Sequence, residues 1–185
     1  MMQKAVVVLI LIAVFATVAI LCVDDIERIF YKREFTEYVT KYSTEFDVPE
    51  ALIYAIIRTE SSFDPNARSG VGAIGLMQLM PDTLDWLSRL LDEDAPTGEI
   101  TDPETNIKYG TYYLRHLYDR FGSWDTAIAA YNAGHGRVAG WLKNPEYSDD
   151  GVELKSIPIK ETNNYVNKVK GNYNTYKKLY YDNED

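Results

Sequence analysis

One short stretch of the sequence combines a single acid with a glycine-rich loop, and both could do chemistry. Glu60 stands upstream of GVGAIG at residues 70–75, which matches the G-x-G-x-x-G pattern of nucleotide-phosphate loops. A poorly hydrated carboxyl group can protonate a leaving oxygen and then act as a base. The stretch therefore predicts either a phosphate-binding loop or a catalytic acid with a glycine-rich loop beside it.

The phosphate interpretation lacks the structural context it requires. A dinucleotide fingerprint lies between a strand and a helix of a βαβ unit, whereas helical periodicity and a loop precede these glycines. No Val-Ala-Ile-Lys, His-Arg-Asp or Asp-Phe-Gly motif follows, so the kinase version also fails. The match is a chance one, and the glycines instead predict tight turns with N–H groups exposed to a ligand.

Glu60 falls on the same helical stripe as three apolar residues, Ile53, Ile56 and Ile57. A carboxyl group near the end of such a stripe loses hydration, which raises its pKa toward the range that a general acid requires. Periodicity alone leaves a second interpretation open, in which Glu60 is a surface residue at a frayed helix end.

Other catalytic chemistries find little support in the sequence. His116 and His135 do not stand in an HExxH or comparable zinc spacing, so neither a metal nor another cofactor is predicted. No serine occurs in a G-x-S-x-G elbow. Cys22, the only cysteine, lies inside an apolar run, which excludes a cysteine nucleophile and a disulfide in the following domain.

The length and charge of the chain bound its class. A chain of 185 residues allows one ordinary domain with an appendage. The net charge of -9 offers no basic surface for a phosphate backbone, so nucleic acid is not an expected partner.

Residues 5–23 form an apolar run in which Thr17 is the only polar residue. The run approaches the roughly 20 residues that cross a bilayer as a helix, and it exceeds the core of about 7 to 15 residues of a signal peptide. We therefore expect an uncleaved single-pass anchor in the cell membrane. Lys4 ahead of it and Asp24, Asp25 after it place the domain on the extracytoplasmic side. A cleaved signal remains the alternative, and lipidation of Cys22 is a weaker one.

Beyond this anchor the periodicity predicts an all-α fold without strands. The expected domain boundaries are an anchor at 1–23, a juxtamembrane helix at 24–46, a catalytic domain at 47–181 and an acidic tail at 182–185. The predicted elements are a helix with an apolar stripe at Phe35, Tyr38, Val39, Tyr42 and Phe46, a helix from an Asp47 cap to about residue 62, a helix from Asp102 to Gly122, a short helix capped by Ser123 and interrupted at Gly134 and Gly136, and a tyrosine-rich helix over about residues 160–180.

Four separated motifs carry a resemblance to a known family. They are ES at residues 60–61, GLMQ at 75–78, AYNAG at 130–134, and IPIKET at 157–162 with Tyr165. In this order and spacing, over roughly residues 42–170, the sequence is similar to the catalytic domain of the soluble-type lytic transglycosylases. The resemblance implies a lysozyme-like helical domain that cleaves the β-1,4 bond between N-acetylmuramic acid and N-acetylglucosamine in peptidoglycan strands, leaving 1,6-anhydromuramic ends.

The resemblance also implies roles for individual residues. Glu60 matches the family's only catalytic carboxylate, and Ser61 closes the helix beside it. Asn163 stands where the family usually has Arg, which weakens the assignment of that last segment. The residues that match substrate-binding positions are Ser69, Gln78 and Met80 of the sugar groove, Tyr131 and Asn132 facing the acid, and Glu161 and Tyr165 closing the site.

A site with one carboxylate departs from the usual glycosidase pair. Asp64 cannot be assumed to share the face of Glu60, because Pro65 disfavours helical continuation. In the scheme that the resemblance implies, the substrate's own acetamido group and C6 hydroxyl fill the second role. Two alternatives stay open: a goose-type lysozyme, and a non-catalytic peptidoglycan-binding envelope module. The physiological role, including any partnership with cell-envelope machinery, is also open.

Overall fold

The computed structural model describes Thr17 and residues 23–93 and 100–182, which form helices joined by turns. No strand occurs in these residues apart from isolated bridges of Ile74 with Arg68 and with Leu79. The helices are α1 (Val23–Phe30), α2 (Thr36–Phe46), α3 (Glu50–Glu60), α4 (Pro81–Leu90), α5 (Pro103–Phe121), α6 (Trp124–Ala133), α7 (His135–Leu142) and α8 (Lys160–Tyr180).

Helix α3 is the centre of the core. Residues 51–57 are all buried, as expected for a helix that is apolar around its whole circumference. The long helix α8 packs along α3, and α6 packs against both α5 and α8. The last residue of the central helix is Glu60, so the core itself fixes the position of this acid.

Local end signals explain several helix boundaries. The Asp102 side chain accepts a hydrogen bond from the N–H of Thr105 at 2.8 Å, and Gly122 ends α5 with a φ of 72°. Ser123 precedes α6, and α8 spans the predicted tyrosine-rich segment. The predicted bounds of these helices are confirmed, but Ser123 holds the N-cap position of α6 without a capping hydrogen bond to its side chain.

The predicted N-cap at Asp47 is wrong. Asp47 has a φ of 53° and terminates α2, while Pro49 precedes the first residue of α3. The carboxylate of Asp47 accepts from Arg115 of α5 instead of capping a helix. Asp47 forms an ion pair with Arg115, which is distant in the sequence, so the local pattern could not reveal this contact.

The segment that leads into the domain is also interrupted. The predicted stripe packs on the core as expected, with Val39 and Tyr42 buried. However, α1 ends at Phe30 and α2 begins at Thr36, because Phe35 adopts a left-handed φ of 58° at the break.

The predicted anchor, residues 1–23 with Cys22, lies outside the described residues except for Thr17 and Val23, and so does the tail beyond Asp182. None of the helices described here is both long and apolar enough to cross a bilayer.

Two helices were not predicted. Helix α4 starts directly after Met80, with Pro81 at its first position, where Pro is favoured. Helix α7 follows Gly134, and Gly136 lies inside it, so only the first of the two glycines interrupts the chain as predicted. Thr83 of α4 and Gly134, which precedes α7, both line the cleft beside Tyr131.

Candidate active site

Glu60 is held at the end of α3 by a tight turn. Ser61 is the C-cap, and its hydroxyl donates to Ile57 O at 3.1 Å and accepts from the N–H of Phe63 at 3.1 Å. Ser62 and Phe63 then take left-handed φ values of 53° and 71°. This strained pair, with Phe63 buried, redirects the chain and stops the helix at the acid.

Helix α8 supplies the direct partner of the acid. The hydroxyl of Tyr165 donates a hydrogen bond of 2.6 Å to Oε1 of Glu60. One residue before the acid, the hydroxyl of Thr59 accepts from Nδ2 of Asn172 at 2.9 Å. Two side chains of α8 therefore fix the position of this helix relative to the end of α3.

Burial raises the pKa of Glu60 from 4.5 to about 7. The hydrogen bond from Tyr165 and the positive charge of Lys168 both oppose this rise, because they favour the carboxylate. Burial outweighs them, so both forms of Glu60 are populated near neutral pH. This is the electrostatic state that a group acting first as acid and then as base requires.

The glycine-rich segment forms a compact loop against α5. Gly75 has a φ of 85°, and a Cβ added to it would lie 2.2 Å from Nδ2 of Asn106. The buried Asn106 amide donates to Ile74 O at 3.0 Å and Ile100 O at 2.8 Å, and it accepts from the N–H of Met77 at 2.7 Å. The glycine therefore provides close approach to an asparagine rather than a phosphate site.

Tyr131 is hydrogen-bonded to this loop and lies near the acid. Its hydroxyl donates to Met77 O at 2.8 Å, and its ring packs on Tyr113 with centroids 5.2 Å apart. Burial and the nearby charge of Glu60 hold the pKa of Tyr131 well above its usual value. In the structure Tyr165 makes the direct contact with Glu60, and the hydrogen bond of Tyr131 goes to the loop.

A cleft opens beside Tyr131, with a cavity of about 290 Å³ between the loop, α4 and the end of α6. The residues that line it together are Gln78 and Met80, which were expected in the sugar groove, and Tyr131 and Asn132, which were expected to face the acid. Their chemistry is mixed: a large exposed apolar side chain, a phenol and two amides. Such a combination suits a sugar, which presents both hydroxyls and apolar ring faces.

Gln78 braces this cleft as well as lining it. Its Nε2 donates to Ala67 O at 3.1 Å and to Gly75 O at 2.9 Å, and its own φ of 49° is left-handed. Met80 is the N-cap residue of α4 and is 40% exposed. The amide nitrogen of Gln78 is thus committed to the loop, while Met80 presents its side chain to solvent.

Ser69 and Glu161 lie outside the lining of this cavity. The hydroxyl of Ser69 accepts from the N–H of Ala73 at 2.9 Å and so closes the tip of the glycine loop. Glu161 is exposed in the first turn of α8, four residues before Tyr165 and therefore on the same helix face. The structure places Glu161 on the surface one turn before Tyr165, and it gives Ser69 a loop-shaping contact.

The two histidines flank Trp86 of α4. The rings of His116 and Trp86 meet edge to face with centroids 5.1 Å apart, and the His135 ring stacks at 6.3 Å. Within the described part of the chain, no three His, Cys, Asp or Glu residues are grouped so that they could hold a metal ion. The histidines therefore serve an aromatic cluster behind the cleft.

The profile of the Transglycosylase SLT domain matches residues 37–153, which is more than half of the chain. The chain belongs to the transglycosylase SLT domain family. The match includes Glu60, the glycine loop and the cleft, and it ends before the α8 segment that carries Tyr165.

Similarity to individual SLT-domain proteins extends further along the chain. The chain is 38% identical over 162 residues to the soluble lytic murein transglycosylase of Escherichia coli K12, and the alignment covers 85% of this chain and 25% of that protein. It is 30% identical over 160 residues to the membrane-bound lytic murein transglycosylase C of Haemophilus ducreyi, covering 74% and 44% respectively. The chain thus spans about a quarter of the length of the Escherichia coli relative.

The fold is similar to that of an inactive mutant of the lytic transglycosylase Slt from Pseudomonas aeruginosa. The TM-score is 0.73 at 37% identity, with 82% of this chain and 25% of that chain covered. The predicted all-helical lytic transglycosylase fold is confirmed. Relatives of the SLT-domain chain include both soluble and membrane-bound proteins.

Sequence reasoning missed two residues that support this SLT-domain site. Asn106 and Asn172 are both buried amides inside long helices, where an exposed asparagine would be unfavourable. A polar residue on the apolar face of a helix was the available signal, because buried polar groups need partners. The partners themselves, Met77 and Thr59, are distant in sequence and not deducible from spacing.

Proposed function

We propose that this chain is a peptidoglycan lytic transglycosylase. It cleaves the β-1,4 bond between N-acetylmuramic acid and N-acetylglucosamine and forms 1,6-anhydromuramic ends, with Glu60 as the single general acid and base. The observation that carries the proposal is the combination of a pKa of about 7 with the 2.6 Å contact to Tyr165 at the end of the central helix.

In the first step, protonated Glu60 donates its proton to the glycosidic oxygen, and the bond from that oxygen to C1 of the muramic acid breaks. Burial favours the neutral acid, which supports this role. As Glu60 becomes a carboxylate, the phenol of Tyr165 donates to the developing negative charge, and a hydrogen bond to a charged acceptor is the stronger kind.

In the second step, the Glu60 carboxylate removes the proton of the C6 hydroxyl while O6 attacks C1. The neighbouring acetamido oxygen stabilises the positive C1 between the two steps. No water is consumed, and Glu60 is protonated again for the next turnover. Holding nucleophile and electrophile in one sugar supplies the proximity that the reaction needs.

The surroundings of Glu60 favour this route over one with two protein carboxylates. Asp64 is exposed, and its Oδ1 accepts from the N–H of Asn66 at 2.9 Å, which commits it to the turn. The pKa of Glu60 is shifted by burial, by Tyr165 and by Lys168, and no second acid among the described residues contributes to the shift. A retaining pair would need carboxyl groups about 5 Å apart.

The cleft residues are proposed to bind the glycan strand. Met80 offers an apolar contact to a sugar face, and Asn132 and Gln78 offer amide oxygens at the same cavity. The oxygen of the Tyr131 hydroxyl can accept a hydrogen bond from an N-acetyl N–H while its O–H continues to donate to Met77 O. Ser69 shapes the loop beneath, and the exposed Glu161 in the first turn of α8 is proposed to close the substrate site.

Analysis of the products tests the reaction. Purified peptidoglycan sacculi are digested with the full chain, and the released muropeptides are weighed by mass spectrometry. A lytic transglycosylase releases products that are one water lighter than those of a goose-type lysozyme. Reducing ends in place of anhydro ends would establish the hydrolase instead.

A Glu60→Gln variant tests whether the chain is an enzyme at all. The amide keeps the size and can accept from Tyr165, but it neither donates an acidic proton nor acts as a base. Loss of sacculus digestion supports the assignment. Unchanged digestion would reject Glu60 as the acid, and the absence of digestion by the unmodified chain would favour the non-catalytic binding module.

The location of the chain is part of the same proposal. Residues 1–23 anchor it in the cell membrane, and the helical domain works on the extracytoplasmic side, where peptidoglycan lies. The apolar run of residues 5–23 in the sequence supports this location. Its test is co-flotation of the full chain with lipid vesicles after an alkaline wash that removes peripheral proteins.

A further inference from the structure

Helix α1 exposes a row of large apolar side chains to solvent. Ile26, Ile29 and Phe30 are 52%, 73% and 64% exposed. Their spacing of three and four residues places them on one face of the helix. An exposed apolar row of this kind at the edge of a domain marks an interaction surface.

The opposite face of α1 is attached to the domain through the end of α8. Glu27 pairs with Lys178, whose Nζ lies 3.2 Å from its Oε2. Arg28 donates to Leu179 O, and its guanidinium lies 4.5 Å from the centre of the Tyr180 ring. The helix thus has one face on the protein and the other without a protein partner among the described residues.

The segment after α1 is fastened by the same part of the fold. Tyr176 and Tyr180 of α8 donate from their hydroxyls to Lys32 O and Tyr31 O, each at 2.9 Å. Arg58 of α3 donates to Phe30 O. Three consecutive backbone carbonyls are therefore tied to core helices, so the connection from α1 to the domain is a fixed joint rather than a free linker.

The preceding sequence indicates what covers the exposed face. The apolar run of residues 5–23 ends where α1 begins, so an inserted anchor would deliver α1 directly to the membrane surface. The nearby cations have protein partners, because Arg28 faces α8 and Lys32 pairs with Glu34 at 2.5 Å. The exposed Asp25, one turn before Ile29, borders the apolar row and sets the edge of the face that can enter the bilayer. A helix with one apolar face lies in the plane of the interface with that face buried in the acyl boundary.

We infer that α1 lies in the outer boundary of the lipid bilayer through Ile26, Ile29 and Phe30, and that its joint to α8 holds the domain in a fixed orientation on the membrane. The inference rests on the proposed anchor and is independent of the sugar chemistry. It gives the domain a set height and direction toward the glycan layer, whereas a free tether would let it tumble.

Site-directed spin labelling of the full chain tests this contact. A Cys22→Ala background removes the only native thiol, and nitroxides are attached to Ile29→Cys and, separately, to Ile26→Cys. Val71→Cys is the control, because Val71 is also a large apolar residue and is 80% exposed on the glycine loop. The proteins are reconstituted in phosphatidylcholine vesicles, and collisions with oxygen and with an aqueous nickel chelate are measured.

The expected result is a depth of about 5–10 Å below the lipid phosphates at positions 26 and 29, with position 71 outside the phosphates. Labels at 26 and 29 that collide with the nickel chelate as often as the label at 71 would overturn the inference. Shielding from the chelate without a gain in oxygen collisions would also overturn it, since that result indicates a protein partner. A chain that does not float with the vesicles would refute the anchor as well. The proposed reaction is tested separately by sacculus digestion, so failure of the membrane contact and failure of the enzyme assignment can be told apart.

Discussion

The hydroxyl of Tyr165 lies 2.6 Å from Oε1 of Glu60, although 105 positions separate the two residues in the sequence. The contact exists because α8 packs along α3, and a second bond from Asn172 to Thr59 fixes the register of the two helices. The last long helix of the chain therefore completes a site whose acid belongs to the central helix. This contact also lowers the pKa that burial raises.

Replacing Tyr165 by Phe should move the pKa of Glu60 further above about 7, because burial remains and the opposing hydrogen bond is lost. The pH profile of kcat/KM on soluble glycan strands should shift its Glu60 limb to higher pH. The rate at the optimum should fall by about ten- to a hundredfold, the equivalent of a hydrogen bond to a charged group.

Tyr173→Phe is the matched control, because Tyr173 belongs to the same helix and borders a different surface beside Trp124. Its pH profile should coincide with that of the unmodified chain. A shift of the Tyr165→Phe profile to lower pH would contradict the pKa argument, and equal profiles for both variants would remove Tyr165 from the site.

Glu60 should make the protein less stable as the pH rises. Its folded pKa of about 7 lies above its value of 4.5 in an unfolded chain, so the folded state binds the proton more tightly. The stabilisation by the neutral acid is complete below pH 4.5 and is lost as the pH rises to about 7. Glu60→Gln removes this dependence and should stabilise the protein at pH 9 by about 3 kcal/mol relative to its effect at pH 4.

Urea unfolding of both proteins at pH 4 and at pH 9 measures this difference. A gap that is the same at both pH values would mean that Glu60 titrates normally, and the acid–base role would lose its electrostatic basis. Loss of activity together with a gain in stability at high pH is the expected pattern, because the buried acid is retained at the cost of stability.

Gly75→Ala should destabilise the protein by more than about 3 kcal/mol, since it adds a clash to backbone strain. The new Cβ would lie 2.2 Å from Nδ2 of Asn106 and 3.0 Å from Ile100 O, at a φ of 85°. Asn106 cannot withdraw without leaving Met77, Ile74 or Ile100 without its hydrogen bond. Thermal unfolding measures the loss.

Gly72→Ala in the same loop provides the control for strain alone. Its φ is 94°, and the nearest atom to its added Cβ is the terminal methyl of Met80 at 3.9 Å. The expected cost is about 1–2 kcal/mol. Equal losses for the two variants would show that the contact with Asn106 has no special importance.

These residues also indicate how far the sequence could predict the site. Periodicity placed Glu60 on an apolar stripe, which is a local property, but only the four-motif resemblance separated a catalytic acid from a surface residue. The ends of α5 follow from Asp102 and Gly122 alone. The partner of Gly75 could not be found, because it lies on another helix and the contact depends on how α5 packs. The loop was predicted to turn tightly, but not to turn around an asparagine.

The division of roles between the two tyrosines has the same explanation. Tyr131 and Tyr165 both matched the family motifs, and spacing alone could not say which phenol touches the acid. The structure assigns the contact to Tyr165 because α8 lies along α3, whereas Tyr131 reaches the carbonyl of Met77 from α6. Packing between helices, rather than local pattern, determines such contacts.

Tyr131→Phe should separate binding from stability. The ring is kept, so the contact with Tyr113 remains, and loss of one neutral hydrogen bond should cost about 1 kcal/mol of folding free energy. The hydroxyl also fixes Met77 O beside Gln78 in the cleft wall. The kcat/KM on glycan strands should therefore fall by about tenfold or more, beyond what the small stability change explains.

Tyr113→Phe tests whether this effect is specific, because Tyr113 lines the same cavity and its ring centre lies 5.2 Å from that of Tyr131. Both variants lose one phenolic hydroxyl from one cavity, but only Tyr131 donates to the carbonyl of Met77. Activity should thus fall in the Tyr131 variant and change little in the Tyr113 variant. If both fall equally, general polarity of the cleft, and not the position of the Met77 carbonyl, governs substrate binding.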